Sequence, residues 1–241
     1  MAGNRDEFYA RPASPAAFWP DHPLVFAGRD LEKGGTWLGV TRQGRFAVLT
    51  NIRDPAAKKN NPEKNNPRSR GHLVSGFLFG NQEPEDYLAR VATEAHEYDD
   101  FNLIVAHRGI SASLNSRERT TTRLAPGIYG LSNHLLDTPW PKVLRAKAAF
   151  AALLGSSRLD TGQFFLLLAD ETPAPDGDLP HTGLSMEWER ILSSVFIAAP
   201  GYGTRASTVV LFHRDGTIHF HECSFTEGGK LLGDVEQQIL T

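Results

Sequence analysis

With 241 residues, of which 40% are hydrophobic, the chain is long enough to bury one substantial core, and we predict a single domain over residues 1–241. Its formal net charge of -3 argues against the strongly basic surface that holds a phosphate backbone, so we expect no nucleic-acid partner. A single cysteine, Cys223, excludes an internal disulfide and any zinc site with several cysteine ligands.

The sequence also argues against membrane insertion and secretion. Its start, MAGNRDEFYARP, places charges where a secretion signal has an apolar run. No stretch approaches the ~20 apolar residues of a membrane-spanning helix. We therefore expect no transmembrane segment and a cytoplasmic protein.

Short β-strands are predicted in the first 51 residues. Leu24–Gly28 is a short apolar run, and Thr36–Thr41 and Arg45–Asn51 alternate around a turn that contains glycine, which predicts a hairpin. The next segment, Asp54–Arg70, is rich in Asn, Pro and Lys and has almost no apolar residues. It is typical of a surface loop.

The middle of the chain contains the predicted helices. Gly71–Gly80 and Glu85–Tyr98 are expected to cover a sheet, and the second has apolar residues at helical spacing. Phe101–His107 is typical of a buried strand that turns into Ser111–Asn115. Pro141–Leu154 carries a stripe of Leu, Ala and Phe and is predicted to be the next helix.

Strands are predicted again towards the end of the chain. Leu192–Ala198 is an apolar run, and Thr208–His213 with Thr217–Ser224 forms a second hairpin pattern. Ala174–Gly183 is a polar loop within the domain. Antiparallel pairs at both ends with helices between them favour a layered α+β fold over a doubly wound parallel sheet.

A series of motifs, taken in order, resembles a known family. They are Asn4-Arg5-Asp6-Glu7-Phe8-Tyr9 with Arg11-Pro12, Gly34-Gly35-Thr36-Trp37-Leu38-Gly39, Thr50-Asn51-Ile52-Arg53, Arg68-Ser69-Arg70-Gly71, Phe101-Asn102-Leu103, Gly130-Leu131-Ser132-Asn133 with Thr138-Pro139-Trp140, and Gly201-Tyr202-Gly203-Thr204-Arg205. From Asn4 to about Phe225 the sequence resembles the NRDE family, the bacterial relatives of the transport-and-Golgi-organisation (TANGO) proteins.

The resemblance implies an α+β fold similar to the N-terminal-nucleophile hydrolases, a four-layer αββα sandwich of two antiparallel sheets. Family members typically begin with Met-Cys and a first strand, and in the hydrolases such a cysteine is the nucleophile. Here two residues separate Met1 from Asn4, so we expect that this strand and its cysteine are missing. Because acyl transfer of this kind needs a hydroxyl or thiol at the chain start, we expect the chain as written to be non-catalytic.

Asn4, Arg5, Asp6 and Glu7 form the first candidate ligand site. In an extended segment, Asn4 and Asp6 would face one way and Arg5 and Glu7 the other. The resemblance implies that Arg5 and Asp6 flank the position of the nucleophile. The alternative is a structural ion-pair cluster that holds the end of a strand.

Asn51, Asn133 and Arg205 are further candidate ligand contacts. A side-chain amide at Asn51 or Asn133 can hold an oxyanion or cap backbone groups, and the resemblance places Asn133 at the oxyanion asparagine of the bile-salt hydrolases. Gly201 and Gly203 permit close backbone approach, so Arg205 can clamp an anion. A surface salt bridge is the alternative for Arg205.

His219, His221 and Cys223 share one face of a predicted strand. Neighbours in this set stand about 6.6 Å apart, which is too wide for a tight tetrahedral zinc site. We predict no metal site. We also expect Cys223 to be a small apolar residue of the core rather than a nucleophile.

Three functions remain open. Relatives of the resembled family are associated with haem movement and with Golgi and lipid homeostasis, so we predict a haem-trafficking protein or a carrier of another flat hydrophobic anion. It would need no cofactor, take haem as cargo through Arg5 and Arg205, and pass it to a haem-receiving protein. The alternatives are an amide or acyl hydrolase that uses Arg5, Asp6 and Asn133, if the true start lies upstream and supplies a cysteine, and a scaffold or interaction domain without chemistry.

Overall fold

The computed structural model describes residues 1–53, 67–155 and 160–241, which divide into two compact units. The first unit comprises Met1–Arg11, Ile128–Gly130 and Leu136–Leu240, and the second comprises Pro12–Gly127, Leu131–Leu135 and Thr241. Most of the predicted surface loop Asp54–Arg70, as far as residue 66, lies outside the described residues. The single domain stays a prediction.

The described residues contain twelve β-strands, all in antiparallel pairs, and five α-helices. The strands are β1 (Ala2–Phe8), β2 (Ala13–Trp19), β3 (His22–Asp30), β4 (Leu38–Thr41), β5 (Phe46–Asn51), β6 (Phe101–His107), β7 (Ile110–Asn115), β8 (Thr120–Arg123), β9 (Ala198–Ala199), β10 (Tyr202–Phe212), β11 (Thr217–Phe225) and β12 (Leu231–Leu240). The helices are α1 (Gly71–Phe79), α2 (Pro84–Glu94), α3 (Pro141–Leu154), α4 (Thr161–Leu168) and α5 (Met186–Ile191). Short 3-10 helices occupy Ala95–Glu97, Asp176–Asp178 and Glu227–Gly229.

The sheet of the first unit has the strand order β1-β10-β11-β12, with β9 paired to β10. It joins distant parts of the chain, since Ala2 pairs with Val209 and Phe8 with Tyr202. Helix α4 packs against β1 and β10 and buries Phe164 and Leu168 beside Val209. A short apolar helix thus covers one face of this sheet.

The sheet of the second unit is a meander in which β2 to β8 pair in sequence order. Helices α1 and α2 pack on it and supply Phe77, Leu88 and Val91 to a core that includes Leu103 and Leu114. Successive side chains of a strand point to opposite faces of the sheet, and in β4 the residues of both faces are buried.

Arg45 is a fully buried cation in the second unit. Its Nε donates to the carbonyl of Phe77 over 2.9 Å and its second terminal nitrogen donates to the carbonyl of Gln82 over 2.7 Å. The guanidinium also lies 3.9 Å from the centre of the Phe77 ring. Carbonyls at the C-terminus of a helix carry partial negative charge and attract a cation. Arg45, which directly precedes β5, therefore stabilises the contact between β5 and the C-terminus of α1.

The predicted α+β class, with two antiparallel sheets and helices, is confirmed. Both predicted hairpins form, and their turns carry Gly44 and Gly216 with φ of 76° and 88°. The predicted bounds of Phe101–His107 and Pro141–Leu154 agree with β6 and α3.

The predicted strand Leu192–Ala198 is wrong, because only Ala198 of this run lies in a strand, β9. The hydroxyl of Ser193 donates to the carbonyl of Arg190, so the chain stays coiled after α5. The amides of Val195 and Phe196 then both donate to the carbonyl of Asp170, over 3.1 and 2.8 Å, instead of to a neighbouring strand. Short polar side chains that bond to nearby backbone compete with strand pairing in this way.

Candidate functional site

A β-bulge of β10 lies opposite Arg5 and Asp6. Arg5 pairs with Ala206 and Asp6 pairs with Thr204, so the extra residue is Arg205 of β10, and β1 itself stays regular. Arg5 lies beside Glu7, whereas Asn4 bonds to the Val195 carbonyl and Asp6 to Thr204, which contacts Ile197. These contacts agree with the predicted alternation, in which Asn4 and Asp6 face one way and Arg5 and Glu7 the other.

Asn4 lies on the same face of β1 as Asp6, opposite Ser207. Its Nδ2 donates to the carbonyls of Leu168 and Val195, each over 2.9 Å, and its Oδ1 accepts from Ser207 Oγ over 2.7 Å. The side-chain amide thus connects β1 to the end of α4 and to the coil that follows α5. These contacts favour the structural alternative for Asn4.

Asp6 is bonded to a threonine that the sequence analysis did not select. Thr204 is fully buried, and its Oγ1 donates to Asp6 Oδ1 over 2.7 Å and accepts from the amide of Ile197 over 3.0 Å. Thr204 stands in the motif beside Arg205, and only the register of β1 on β10 shows that it faces Asp6.

Arginine and glutamate side chains meet beside this bulge. The Arg5 side chain is 9% exposed, and one of its terminal nitrogens lies 3.9 Å from Glu7 Oε2. Arg11 Nε lies 3.8 Å from the same Glu7 oxygen. Two cations therefore lie close to one carboxylate at this end of β1.

Arg205 holds the turn that follows β1. One of its terminal nitrogens lies 3.0–3.2 Å from three carbonyl oxygens, those of Phe8, Tyr9 and Arg11. Its Nε is buried and has no hydrogen-bond partner in the part of the chain that the structure describes. We call Arg5, Asp6, Glu7, Thr204 and Arg205 the β1 polar cluster.

Close approach at Gly203 also shapes this region. A Cβ at Gly203 would collide with the Tyr9 hydroxyl and would lie 2.5 Å from the carbonyl oxygen of Ile197, whereas a Cβ at Gly201 would have nothing within 4 Å. Burial, and then the nearby Glu227 carboxylate, raises the pKa of Tyr9. Tyr9 therefore stays protonated at neutral pH and can act as a hydrogen-bond donor.

Three aromatic side chains continue outward from the β1 polar cluster. Phe8 packs edge-to-face on Tyr202 with ring centres 5.1 Å apart, and Tyr202 packs edge-to-face on Trp188 at 5.8 Å. Phe8 is 56% exposed. We call Phe8, Trp188 and Tyr202 the aromatic row.

The second unit brings Asn51 and Asn133 together. Asn133 Nδ2 donates to the carbonyl of Asn51 over 3.1 Å, and its Oδ1 accepts from the Arg53 guanidinium over 3.3 Å. The amide of Arg53 also donates to the Asn133 carbonyl over 2.8 Å. This geometry is that of a side-chain amide capping backbone groups, one of the two alternatives predicted for these residues.

On β11, separate acidic partners contact His219 and His221. His219 Nε2 lies 2.6 Å from Glu236 Oε1, and His221 Nε2 lies 3.5 Å from Asp234 Oδ2. Within residues 1–53, 67–155 and 160–241, no three His, Cys, Asp or Glu side chains are grouped for metal binding.

Cys223 is half-buried on the face of β11 that carries His219 and His221, so the expected place in the core is wrong. Its environment nevertheless disfavours the thiolate. Burial, and then the carboxylates of Asp234 and Glu222, raises the pKa of the thiol. Glu222 itself is buried and accepts a hydrogen bond from Thr208 Oγ1 over 3.2 Å. Glu222 points to the face of β11 opposite to His219 and His221. The sequence pattern drew attention only to the histidine face, so Glu222 was not selected.

Among the described residues, no helix has the length and apolar character needed to cross a membrane. Over residues 1–227 the sequence matches the family described as transport and Golgi organisation 2. It is 40% identical over 245 residues to the Bos taurus transport and Golgi organization protein 2 homolog, which covers 93% of this chain and 85% of that protein. The Homo sapiens homolog is 34% identical over 244 residues, with 94% and 86% covered.

The Drosophila melanogaster transport and Golgi organization protein 2 is 30% identical over 248 residues, covering 94% of this chain and 86% of that protein. Among solved structures, the Caenorhabditis elegans N-acylethanolamine-hydrolyzing acid amidase ortholog matches 70% of this chain and 83% of its own with 14% identity and a TM-score of 0.37. Because the family match spans nearly the whole sequence, the chain belongs to the transport and Golgi organisation 2 (TANGO2) family, as the NRDE motif predicted.

Proposed function

We propose that the protein is a non-catalytic carrier of a flat hydrophobic anion, with haem as the candidate cargo. The observation that carries this proposal is that the aromatic row adjoins the β1 polar cluster. Phe8 follows Glu7 in β1, and the guanidinium of Arg205 bonds to the Phe8 carbonyl over 3.1 Å. The exposed Phe8 ring and the Arg205 guanidinium thus lie at the same end of the β1–β10 pair.

The two parts of this region suit the two parts of such a ligand. A planar ring system gains by stacking on or packing edge-to-face against Phe8 and its neighbours, and Phe8 is exposed enough to take part. Carboxylates of the ligand would bond to Arg5, whose planar guanidinium presents paired donors. The buried Nε of Arg205 supplies a further donor for a ligand oxygen.

Family membership agrees with carriage. The relatives are named for transport and Golgi organisation, and we extend to this chain only the transport role. We propose that the carrier works in the cytoplasm and passes its cargo to a haem-receiving protein, and that it requires no cofactor of its own.

Haem titration followed by the Soret absorbance tests the proposal. We expect saturable binding by this chain and about tenfold weaker binding by Phe8→Ser, which corresponds to about 1.4 kcal/mol. The matched control is Phe212→Ser, which removes a phenylalanine of similar exposure, 50%, at the far end of β10. No Soret change at stoichiometric haem, or equal weakening by both variants, would contradict a site at the aromatic row.

The anion contact is tested separately with Arg5→Lys, which keeps the charge and loses the paired donors. We expect weaker haem binding for this variant. Arg190→Lys is the control, because Arg190 is an exposed arginine that pairs with Asp176 elsewhere in the first unit. Unchanged haem binding by folded Arg5→Lys would remove Arg5 from the proposed site.

Amide or acyl hydrolysis is a second candidate, favoured by the Asp6 carboxylate, which follows Arg5 in β1 and accepts a hydrogen bond from a buried hydroxyl. The hydroxyl bonded to Asp6, that of Thr204, already donates to Asp6 and accepts from Ile197. Hydrolysis would therefore need a nucleophile from an upstream extension that begins with Met-Cys. Release of an amine from acyl-amide substrates by such an extended form, without haem binding by either form, would favour this candidate.

A further inference from the structure

Strand β12 forms an open edge of the sheet in the first unit. It is ten residues long and pairs with β11 from Thr217↔Leu240 to Phe225↔Leu231. Among the described residues, no strand pairs with its other edge. Its leucines are exposed, Leu231 by 56%, Leu232 by 67% and Leu240 by 76%.

Two of the other terminal strands carry features that discourage pairing, since β2 contains Pro15 and two register shifts and β8 is four residues long. Proline, bulges and short length are the usual protections of an edge strand, together with lysine. Strand β12 has a bulge at Leu232. From Gly233 to Leu240 it has no proline, lysine or bulge, so its outward backbone groups can accept another strand.

The charge on β12 is acidic and lies on one face. Asp234 and Glu236 are two positions apart and therefore point to the same side of the sheet. Their side chains are 57% and 54% exposed. The Asp234 carboxylate contacts the ring of His221, and the Glu236 carboxylate contacts the ring of His219. The strand has no lysine or arginine of its own.

These charges disfavour a second copy of the chain as the occupant. In a symmetric dimer, β12 of one copy would pair antiparallel with β12 of the other about a two-fold axis. If the two strands overlap along their whole length, either Val235 or Glu236 lies on that axis. The first register sets Asp234 opposite Glu236 of the other copy, and the second sets Glu236 opposite itself. Like charges directly opposite each other destabilise a strand pair.

We infer that β12 is the docking edge for an extended segment of another protein that carries Lys or Arg at alternate positions. The backbone of that segment would complete the hydrogen-bond ladder of β12. Its basic side chains would lie opposite Asp234 and Glu236, and its intervening apolar side chains would share a face with Val235 and Ile239. This interaction surface is separate from the proposed haem site.

A synthetic peptide of five Lys-Val repeats tests the inference by fluorescence anisotropy and amide hydrogen exchange. We expect saturable binding and slower exchange of the amides of 231–240. A block peptide of five Lys and five Val has the same composition without the alternation, and we expect it to bind at least tenfold more weakly. Equal binding of the two peptides would show attraction by bulk charge alone and would overturn the inference.

Variants identify the edge. The double variant Asp234→Asn with Glu236→Gln should weaken binding of the alternating peptide at least tenfold. The matched control, Glu85→Gln with Asp86→Asn, neutralises two exposed acidic residues of α2 and should leave binding unchanged. Asp234→Lys with Glu236→Lys should transfer binding to a Glu-Val repeat peptide.

Three results would contradict docking at β12: no binding of the Lys-Val peptide, binding that survives charge reversal, and dimerisation of the free protein through β12 in analytical ultracentrifugation. The Phe8→Ser variant should bind the peptide normally whatever its haem affinity. Failure of the haem proposal and failure of this inference are therefore distinguishable.

Discussion

The hydroxyl of Thr204 donates a 2.7 Å hydrogen bond to Asp6 Oδ1 across 198 positions of sequence. The Thr204 Oγ1 also accepts a hydrogen bond from the amide of Ile197 over 3.0 Å. One buried side chain thus links β1, β10 and the residue that precedes β9. Because Thr204 is buried and makes both bonds at ordinary hydrogen-bond distances, it contributes to stability through each of them.

Thr204→Val keeps the shape of the side chain and removes both hydrogen bonds. We expect it to lower the free energy of unfolding by about 1–3 kcal/mol, because a carboxylate oxygen and a buried amide lose their partner. Urea denaturation measures the change. Thr121→Val, on the exposed strand β8, should stay within about 0.5 kcal/mol of the parent protein, and an equal loss for both variants would contradict the role of Thr204.

Gly203→Ala should destabilise the first unit because the new methyl group meets Tyr9 and the carbonyl of Ile197. Overpacking of this kind costs about 1–3 kcal/mol. Adding Tyr9→Phe removes the collision with the Tyr9 hydroxyl but not the one with the Ile197 carbonyl. The double variant should therefore recover part of the lost stability. Gly177→Ala, where nothing lies within 4 Å of the added methyl, is the control for thermal unfolding measurements.

Arg45→Ala should lower the stability of the second unit by about 3 kcal/mol, because it opens a cavity and leaves the carbonyls of Phe77 and Gln82 without their donor. Burial lowers the pKa of Arg45, and arginine nevertheless stays charged in proteins. Arg42→Ala, an exposed arginine of the same hairpin, should have a much smaller effect in urea denaturation. Comparable losses would show that Arg45 does not anchor α1.

Asp137 should make stability depend on acid pH. Burial raises its pKa, but the Lys147 ammonium and the Gly130 amide, each 2.7 Å from Asp137 Oδ1, outweigh burial and hold the pKa below its usual 3.8. The unfolded chain therefore binds the proton more readily, so this stabilisation is complete well above pH 3.8 and disappears as pH falls through the folded pKa.

Asp137→Asn removes this charge and suits the backbone, because asparagine tolerates the positive φ of 60° at this residue. The difference in unfolding free energy between the parent protein and the variant should be largest near neutral pH and should shrink on acidification. Urea titrations at neutral and acid pH measure it. A difference that is constant with pH would mean that the ion pair with Lys147 contributes nothing.

The sequence predicts those elements whose signal is local. Helix α3 and strand β6 were found with their bounds because a helical stripe and a continuous apolar run are visible within a few residues. Strand β2 was missed because Pro15 interrupts its pattern, and β12 was missed because its exposed residues do not alternate between apolar and polar. Strands β2 and β12 form because they pair with β3 and β11, and this pairing is not visible in the sequence of either strand alone.

The candidate site was predicted as a set of residues and not as an arrangement. The bulge of β10 at Arg205 is a property of how β10 pairs with β1, almost two hundred residues earlier, so the pattern of β10 alone cannot reveal it. The bonds of Asn4 to Leu168 and Val195 have the same origin. Sequence patterns identified chemically suitable side chains, and long-range pairing decided which of them meet.

The pairing of β1 with β10 also sets an order for folding during synthesis. Strands β2 to β8 lie within residues 13–123, so they can form their meander soon after they emerge from the ribosome. Ala2 must wait for Val209, a delay of roughly 10–40 s at translation rates of about 5–20 residues per second. During that interval β1 has no strand to pair with, and it is the segment of the nascent chain on which a chaperone would act.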